Sequence, residues 1–354
     1  MLKGNKGEWG EIYAFSYLLS SGKLYAADKD LHALQTLYFP VIKIIREEIP
    51  GNTYSYYTGD TIKIFFGNNM VKEINKKEID HIVSVLCKKI PQGKRAFEIK
   101  EVNPFFKSIY CSKLKANSTQ KQDITIQIHD IHTGISPVCG FSIKSYLGAN
   151  PTLINSGENT NFVFEITGCN DDIMNSVNAI DTRTKIIDKT RYLCENSCDF
   201  VVPEHLESKQ FEENLCFIDT IMPKFLSFAI LYSYKYHLNS SSDVIQKMKK
   251  ENPLNFSNTM MYEYKFKKLL CACALGMTPE KPWEGREDAN GGYIVVKKDG
   301  SVVCYHIYNR PDFEQYLFEY TYFDRPSTSR HHYMEVYKED NRYKIKLNLQ
   351  VRFK

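Results

Sequence analysis

The sequence predicts a mixed fold of the α/β (α+β) class, a mixed sheet flanked by helices, and three stretches carry that prediction. Residues 6–21 hold Trp9, Ile12, Tyr13, Phe15, Leu18 and Leu19 at close to helical spacing. Ile124, Ile126 and Ile128 alternate with Thr125 and Gln127, the period of a strand with one apolar face. Residues 291–297 and 301–308 flank Lys298, Asp299 and Gly300, the pattern of a hairpin.

The first helix is expected to stop at Gly22, which suits the left-handed position after a helix end. Residues 31–49 read as a second helix, interrupted near Pro40. Short strands follow at 55–57, 61–66 and 70–74, with Gly and Asn turns between them. Ile79, Ile82, Val83 and Leu86 make a helical stripe of residues 77–89. The polar stretch 116–122 is a candidate boundary. After the isoleucine strand, a turn with Gly134 and Pro137 leads to a second strand at 140–146, and a third lies at 161–166. Residues 211–237 read as mostly helical, with shorter helices at 243–250, 262–275 and 312–319 and a final strand at 343–353.

A length of 354 residues suffices for one large domain or two smaller ones. The net charge of +4 neither demands nor excludes nucleic acid, because basic residues can gather on one face. The chain has no apolar run of about 18 residues, so a membrane span is not expected. Its start, MLKGNKGEWGE, lacks the apolar core of a signal peptide, so a cytoplasmic location is expected. Cys194 and Cys198 are four apart, and Cys271 and Cys273 are two apart. Neither spacing is the usual zinc pair, so the ten cysteines read as free thiols.

Chemistry is concentrated at the pair of central strands. Asp123, Thr125 and Gln127 share one side of the first, and Ser142 and Lys144 share a face of the second. If the strands pair, a carboxylate and a lysine meet on one face. Phosphodiester hydrolysis wants that arrangement: a carboxylate to hold Mg²⁺ beside the scissile phosphate, and a lysine to offset developing charge. The spacing matches the PD-(D/E)xK nuclease pattern, with Asp123 as first acid and Ser142–Ile143–Lys144 as the last tripeptide. Ser142 departs from it, standing where Asp or Glu is usual, which removes a charged ligand. Glu8 and Glu11, three apart and so on one face of the first helix, could supply the missing carboxylate. The bland alternative is that Asp123 caps a turn and Lys144 is solvated. A rival set is Phe97–Glu98–Ile99–Lys100 with Asp80, but Asp80 lies inside a helical stripe rather than at a strand start. His129 and His132 lack the spacing of a histidine nuclease and read as surface residues.

Longer blocks carry a family resemblance. GNKGEWGEIYAF, KQDITIQIHD, GFSIKSYLG, TLINSGENTNFVFEITG, FDRPSTSRHHYMEVY and LNLQVRFK resemble the HpaII family of type II restriction endonucleases, in the same order, from Gly4 to Phe353. The resemblance implies Mg²⁺-dependent, sequence-specific cleavage of double-stranded DNA and a partner methyltransferase that protects host DNA. The family's name-giving member reads CCGG and cuts after the first C. Carried over, Asp123 and Lys144 fall on the catalytic motif, Ser142 on its variable position, and Glu8 and Glu11 on an acidic helix, with Glu11 preferred as third acid. The expected organisation is residues 1–37 as a helix serving the catalytic core, 38–118 as an accessory subdomain, 119–240 as the nuclease core and 241–354 as a DNA-recognition region.

Arg325 and Arg330 flank Ser327, Thr328 and Ser329, donors suited to phosphate oxygens or a guanine edge. Asn155, Ser156, Thr160 and Asn161 form a second polar loop after the central strands, a candidate to track the backbone near the cut. A palindromic site suits a homodimer. Two other functions stay open at this point: a DNA-binding protein without catalysis, which the missing acid at Ser142 would suit, and a repair or RNA-directed nuclease on the same core.

Overall fold

In the computed structural model, which describes residues 1–115, 122–306 and 309–354, the first helix runs Lys6–Ser21. Asn5 caps it, accepting from Gly7 N at 2.8 Å and Glu8 N at 3.1 Å, and Glu8 closes the capping box through Asn5 N. Gly22 ends it at φ 66°, the left-handed turn expected of it. The candidate boundary at 116–122 falls, save for its last residue, outside the described residues, as does the end of the 301–308 strand.

The chain divides into two compact units. The first comprises Met1–Pro151, Ala274–Gly276 and Glu287–Tyr316; the second comprises Thr152–Cys273, Met277–Arg286 and Leu317–Lys354. The segments 1–37 and 38–118 therefore share one unit with the central strands, while 119–240 and 241–354 are each split between the two.

A nine-stranded mixed sheet dominates the first unit. Its order is Lys23–Ala27, Val302–Tyr305, Gly292–Val296, Val138–Ser145, Ile124–Ile128, Ala33–Ile49, Asn52–Tyr57, Thr61–Phe66 and Asn69–Asn75. The hairpin Gly292–Val296 and Val302–Tyr305 forms as expected, and Gly292–Val296 lies parallel to Val138–Ser145. Trp9, Ile12, Phe15 and Leu18 of the first helix are buried in one core with Ile124, Ile126, Ile128, Phe141 and Ile143.

Residues 31–49 are not a helix: Ala33–Ile49 is one strand of 17 residues. Leu34, Leu37, Tyr38, Val41, Ile44 and Ile45 mimic helical spacing, but the stretch is rich in β-branched and aromatic residues, which suit a pleated surface. Pro40, which donates no hydrogen bond, sits next to the register irregularity between Val41 and Lys43.

The second unit has an antiparallel sheet ordered Asp199–Val201, Asn161–Thr167, Arg342–Asn348 and Val336–Glu339. A three-stranded sheet joins Thr152–Ile154, Val351–Phe353 and Thr321–Phe323. The expected single strand at 343–353 is thus two strands in different sheets. Leu349 N turns to Thr160 O at 2.9 Å and Gln350 O accepts from Asp324 N at 2.9 Å, which diverts the backbone between them. The helices include Lys209–Ile218, Met222–Lys235 and Ser241–Glu251, and two not expected from sequence, Asp171–Asn178 and Lys185–Glu195. Among the described residues no single helix is long and apolar enough to cross a membrane.

Candidate active site

The two central strands pair antiparallel with Ile124 opposite Phe141 and Thr125 opposite Gly140. That register sets Asp123 opposite Ser142, and Lys144, two residues on, shares the face. Asp123 N donates to Phe141 O at 2.9 Å, and its Oδ2 accepts from Ile143 N at 2.7 Å and Ser142 Oγ at 3.3 Å. Asp123 is therefore held rigidly by the strand that carries the lysine. Ser142, where the pattern puts an acid, serves here as a donor to Asp123. Burial lowers the pKa of Lys144, against the opposing pull of Asp123 and Glu11.

Glu11 comes from the first helix. A side chain at Gly10 would place its Cβ 2.4 Å from Ser145 Cβ, so the helix seats directly on strand Val138–Ser145 only because residue 10 has none. The Glu11 side chain is 15% exposed, and its Oε2 is buried with no hydrogen-bond partner among the described residues. Glu8 instead accepts from Asn5 N at 2.8 Å, a structural role at the helix start. Lys115, which sequence reasoning missed, completes the cluster: its Nζ lies 3.4 Å from Asp123 Oδ1 and 3.9 Å from Glu11 Oε1. It reaches the site from outside the motif, and no periodicity marks it.

Burial first, and then the negative charge of Asp123, push the Glu11 carboxyl up to about 8. In the metal-free protein, Glu11 stays protonated over a pH range where the unfolded chain has lost that proton. Folding is then opposed more strongly as pH rises from about 4.5 to about 8, and the loss levels off above that. Glu11→Gln should remove the slope and stabilise the metal-free protein at pH 8 by up to roughly 4 kcal/mol. Urea unfolding in EDTA at pH 5 and pH 8 measures it; an equal effect at both values would refute the raised pKa.

The donors suit a hard divalent cation. Two carboxylates converge, one has an unsatisfied buried oxygen, and a half-buried lysine stands beside them. The rival set does not converge in this way. Asp80 accepts from Ser20 Oγ at 2.5 Å and Glu98 accepts from Asn103 Nδ2 at 2.6 Å. Asp28, Asp30 and His32 form another acidic group, with ligand atoms within 4.8 Å. Asp28 already accepts from Asp30 N and His32 N at 2.9 Å each and from the His32 ring at 3.1 Å, which makes this a self-satisfied turn. His129 bonds Ser136 Oγ at 3.0 Å, and His132 N donates to Asp130 Oδ1 at 2.9 Å, so both belong to the turn between the central strands.

The protein-family model described as HpaII restriction endonuclease matches residues 5–353. The type II restriction enzyme HpaII of Haemophilus parainfluenzae is 39% identical over 359 residues, covering 99% of this chain and 98% of that protein. The chain belongs to the HpaII restriction endonuclease family. No solved structure matches it.

Two polar loops that the sequence singled out in this member of the HpaII family lie together in the second unit. Ser156 Oγ bonds His331 Nε2 at 3.1 Å, and Asn161 Nδ2 donates to His331 O at 3.0 Å. Thr160 and Asn161 are only 0% and 4% exposed and are bonded inside the protein, to Gly157 and Asn348 among others, so they hold the loop from within. Asn155, Ser327, Ser329 and Arg330 are exposed, and Ser156 and Thr328 are half-buried. The Arg325 guanidinium stacks on Tyr234, 3.9 Å from the ring centroid, and donates to Ser233 Oγ at 2.6 Å. It lines a cavity of about 400 Å³ with Ser327, Thr328, His237, Arg183 and Lys185. The last two sit just before and at the start of the unforeseen helix Lys185–Glu195, which is why the sequence reading missed this basic wall.

Proposed function

We propose that Asp123, Glu11 and Lys144 form a PD-(D/E)xK-type centre that hydrolyses phosphodiester bonds of double-stranded DNA at a short specific site, CCGG as in the name-giving relative. The observation that carries this reading is the convergence of Asp123 and Lys144, fixed by strand register, with the unsatisfied carboxylate oxygen of Glu11. The acid absent at Ser142 comes from the first helix instead. Asp123 and Glu11 would hold Mg²⁺, which would supply positive charge to the phosphate and acidify an attacking water. Lys144, whose burial favours its neutral form, can take a proton from water or, once charged, offset the growing charge on phosphate. Ser142 and Ile143 N keep Asp123 oriented.

Supercoiled plasmid incubated with the protein in Mg²⁺ should yield defined fragments, and none in EDTA. Sequencing the termini would identify the site and stagger. Fragments without a common end sequence would overturn the site-specific reading, and cleavage of RNA alone would overturn the DNA reading. The protein would act in the cytoplasm as a homodimer on a palindrome, alongside a methyltransferase that modifies the same site.

The exposed groups Asn155, Ser327, Ser329 and Arg330, with half-buried Ser156, Thr328 and Arg325, would face the DNA. Arg330→Ala is the cleaner probe, because Arg325 also packs on Tyr234. If Arg330 reads a guanine, its loss should weaken binding by about 1–3 kcal/mol at the cognate site only. An equal loss on random duplex, with the salt slope reduced by about one, would make it a phosphate contact. Equilibrium binding across a salt series distinguishes the two, and an unchanged affinity on both duplexes would remove Arg330 from the interface.

A further inference from the structure

Residues 111–115 are clamped to the protein by a buried ion pair. Arg46 and Glu48, with side chains each 3% exposed, meet at 2.9 Å. Glu48 Oε2 accepts from Ser112 N at 2.7 Å, Ser112 Oγ at 2.8 Å and Lys113 N at 3.2 Å. Arg46 donates its second contact to Lys113 O at 2.8 Å. Burying an ion pair is seldom the most stable use of core volume, and its best-attested benefit is a fixed position. Here every one of these remaining bonds goes to residues 112 and 113. Two residues on, Lys115 places its ammonium between Asp123 Oδ1 at 3.4 Å and Glu11 Oε1 at 3.9 Å. A cation thus already lies between the two carboxyl groups.

We propose that Lys115 is a built-in counter-cation for the Glu11–Asp123 pair, aimed by the Arg46–Glu48 clamp, and that it competes with a divalent cation until a DNA phosphate draws it away. The inference rests on reading the pair as metal-holding carboxylates. An ammonium and a divalent ion repel strongly when both lie against the same oxygens. The Lys115 side chain is 56% exposed, so it can turn outward to a phosphate without breaking core contacts. A phosphate that relieves the site of Lys115 must strengthen cation binding there. By linkage, the cation must strengthen DNA binding by the same factor. Lys115 would therefore keep the acid pair quiet in free protein and couple metal loading to substrate.

Calorimetric titration of the DNA-free protein with Ca²⁺, a hard cation of similar ligand preference, tests this without turnover. Lys115→Gln should tighten Ca²⁺ binding by about tenfold, as the ammonium standing between Glu11 and Asp123 is removed. Lys115→Arg should stay near wild type, because it keeps the charge, and Lys115→Gln combined with Asp123→Asn should lose the gain. Unchanged or weaker Ca²⁺ binding by Lys115→Gln overturns the proposal. Ca²⁺ binding indifferent to Asp123→Asn in both backgrounds overturns the metal-site reading instead. Adding a short cognate duplex should narrow the gap between wild type and Lys115→Gln, and a gap that persists in full overturns the displacement by phosphate. Circular dichroism of each variant checks the fold, which an exposed lysine contributes little to.

Discussion

Asp123→Asn and Lys144→Ala are each expected to slow duplex cleavage by several orders of magnitude while leaving the protein folded. Asparagine keeps an oxygen to accept from Ile143 N, so the strand register survives. It loses the charge that a hard cation needs. Lys144→Ala removes the group proposed to move a proton or balance charge at the phosphate. Its fold should not suffer, because burial already disfavours the charged lysine. A loss of three to four orders in rate corresponds to about 4–5 kcal/mol of transition-state stabilisation. In EDTA both variants should bind cognate duplex at least as well as wild type, and Asp123→Asn better, since it removes a negative charge facing phosphate. Glu98→Gln and Lys100→Ala serve as controls and should retain most activity. Single-turnover cleavage with gel-shift binding reads both quantities. Full cleavage by Asp123→Asn alongside an inactive Glu98→Gln would move the centre to residues 80–100.

The parts of this site that sequence revealed are those governed by local periodicity. The alternation of Ile124, Ile126 and Ile128 determines which way Asp123 faces, and the same rule aligns Ser142 with Lys144. The first helix was legible as far as its end at Gly22, because its apolar spacing and its terminating glycine are local signals. What was hidden depends on partners far along the chain. Ala33–Ile49 carries both periods at once, and its pairing with three other strands decides between them. Arg46 and Glu48 look like solvated charges in sequence, yet each satisfies the other inside the core. Lys115 lies eight residues before Asp123, a separation that says nothing of their 3.4 Å approach. Asn161 reads as loop surface because it is polar, but Asn348 and His331 O absorb its amide. The short amphipathic helices Asp171–Asn178 and Lys185–Glu195 bury only Val177 and Lys189, Thr190 and Leu193 respectively, too sparse a stripe to stand out.

Gly10→Ala is expected to cost both stability and activity, although alanine is the better helix former. The new Cβ would sit 2.4 Å from Ser145 Cβ and 2.7 Å from its Oγ. Ser145 Cβ is fixed to the strand backbone and cannot swing aside, so the helix itself must move out. Trp9, Ile12 and Phe15, all 0% exposed, would move with it, and overpacking of this kind costs roughly 1–3 kcal/mol. Glu11 is the next residue, so its carboxylate shifts by a similar distance from Asp123. A misplacement of about 1 Å at a reacting centre lowers the rate by on the order of a hundredfold. Gly7→Ala, in the same helix, meets only the cap oxygen Asn5 Oδ1 at 3.1 Å, which needs to give by only a few tenths of an ångström, so it should cost far less in both respects. Ser145→Gly deletes both atoms that obstruct the new methyl group, so it should restore most of the activity lost in Gly10→Ala. Urea midpoints and cleavage rates of the four proteins form a double-mutant cycle. Loss of activity without rescue would place the damage in the helix alone, and an unaltered Gly10→Ala would show that the helix does not rest on this strand.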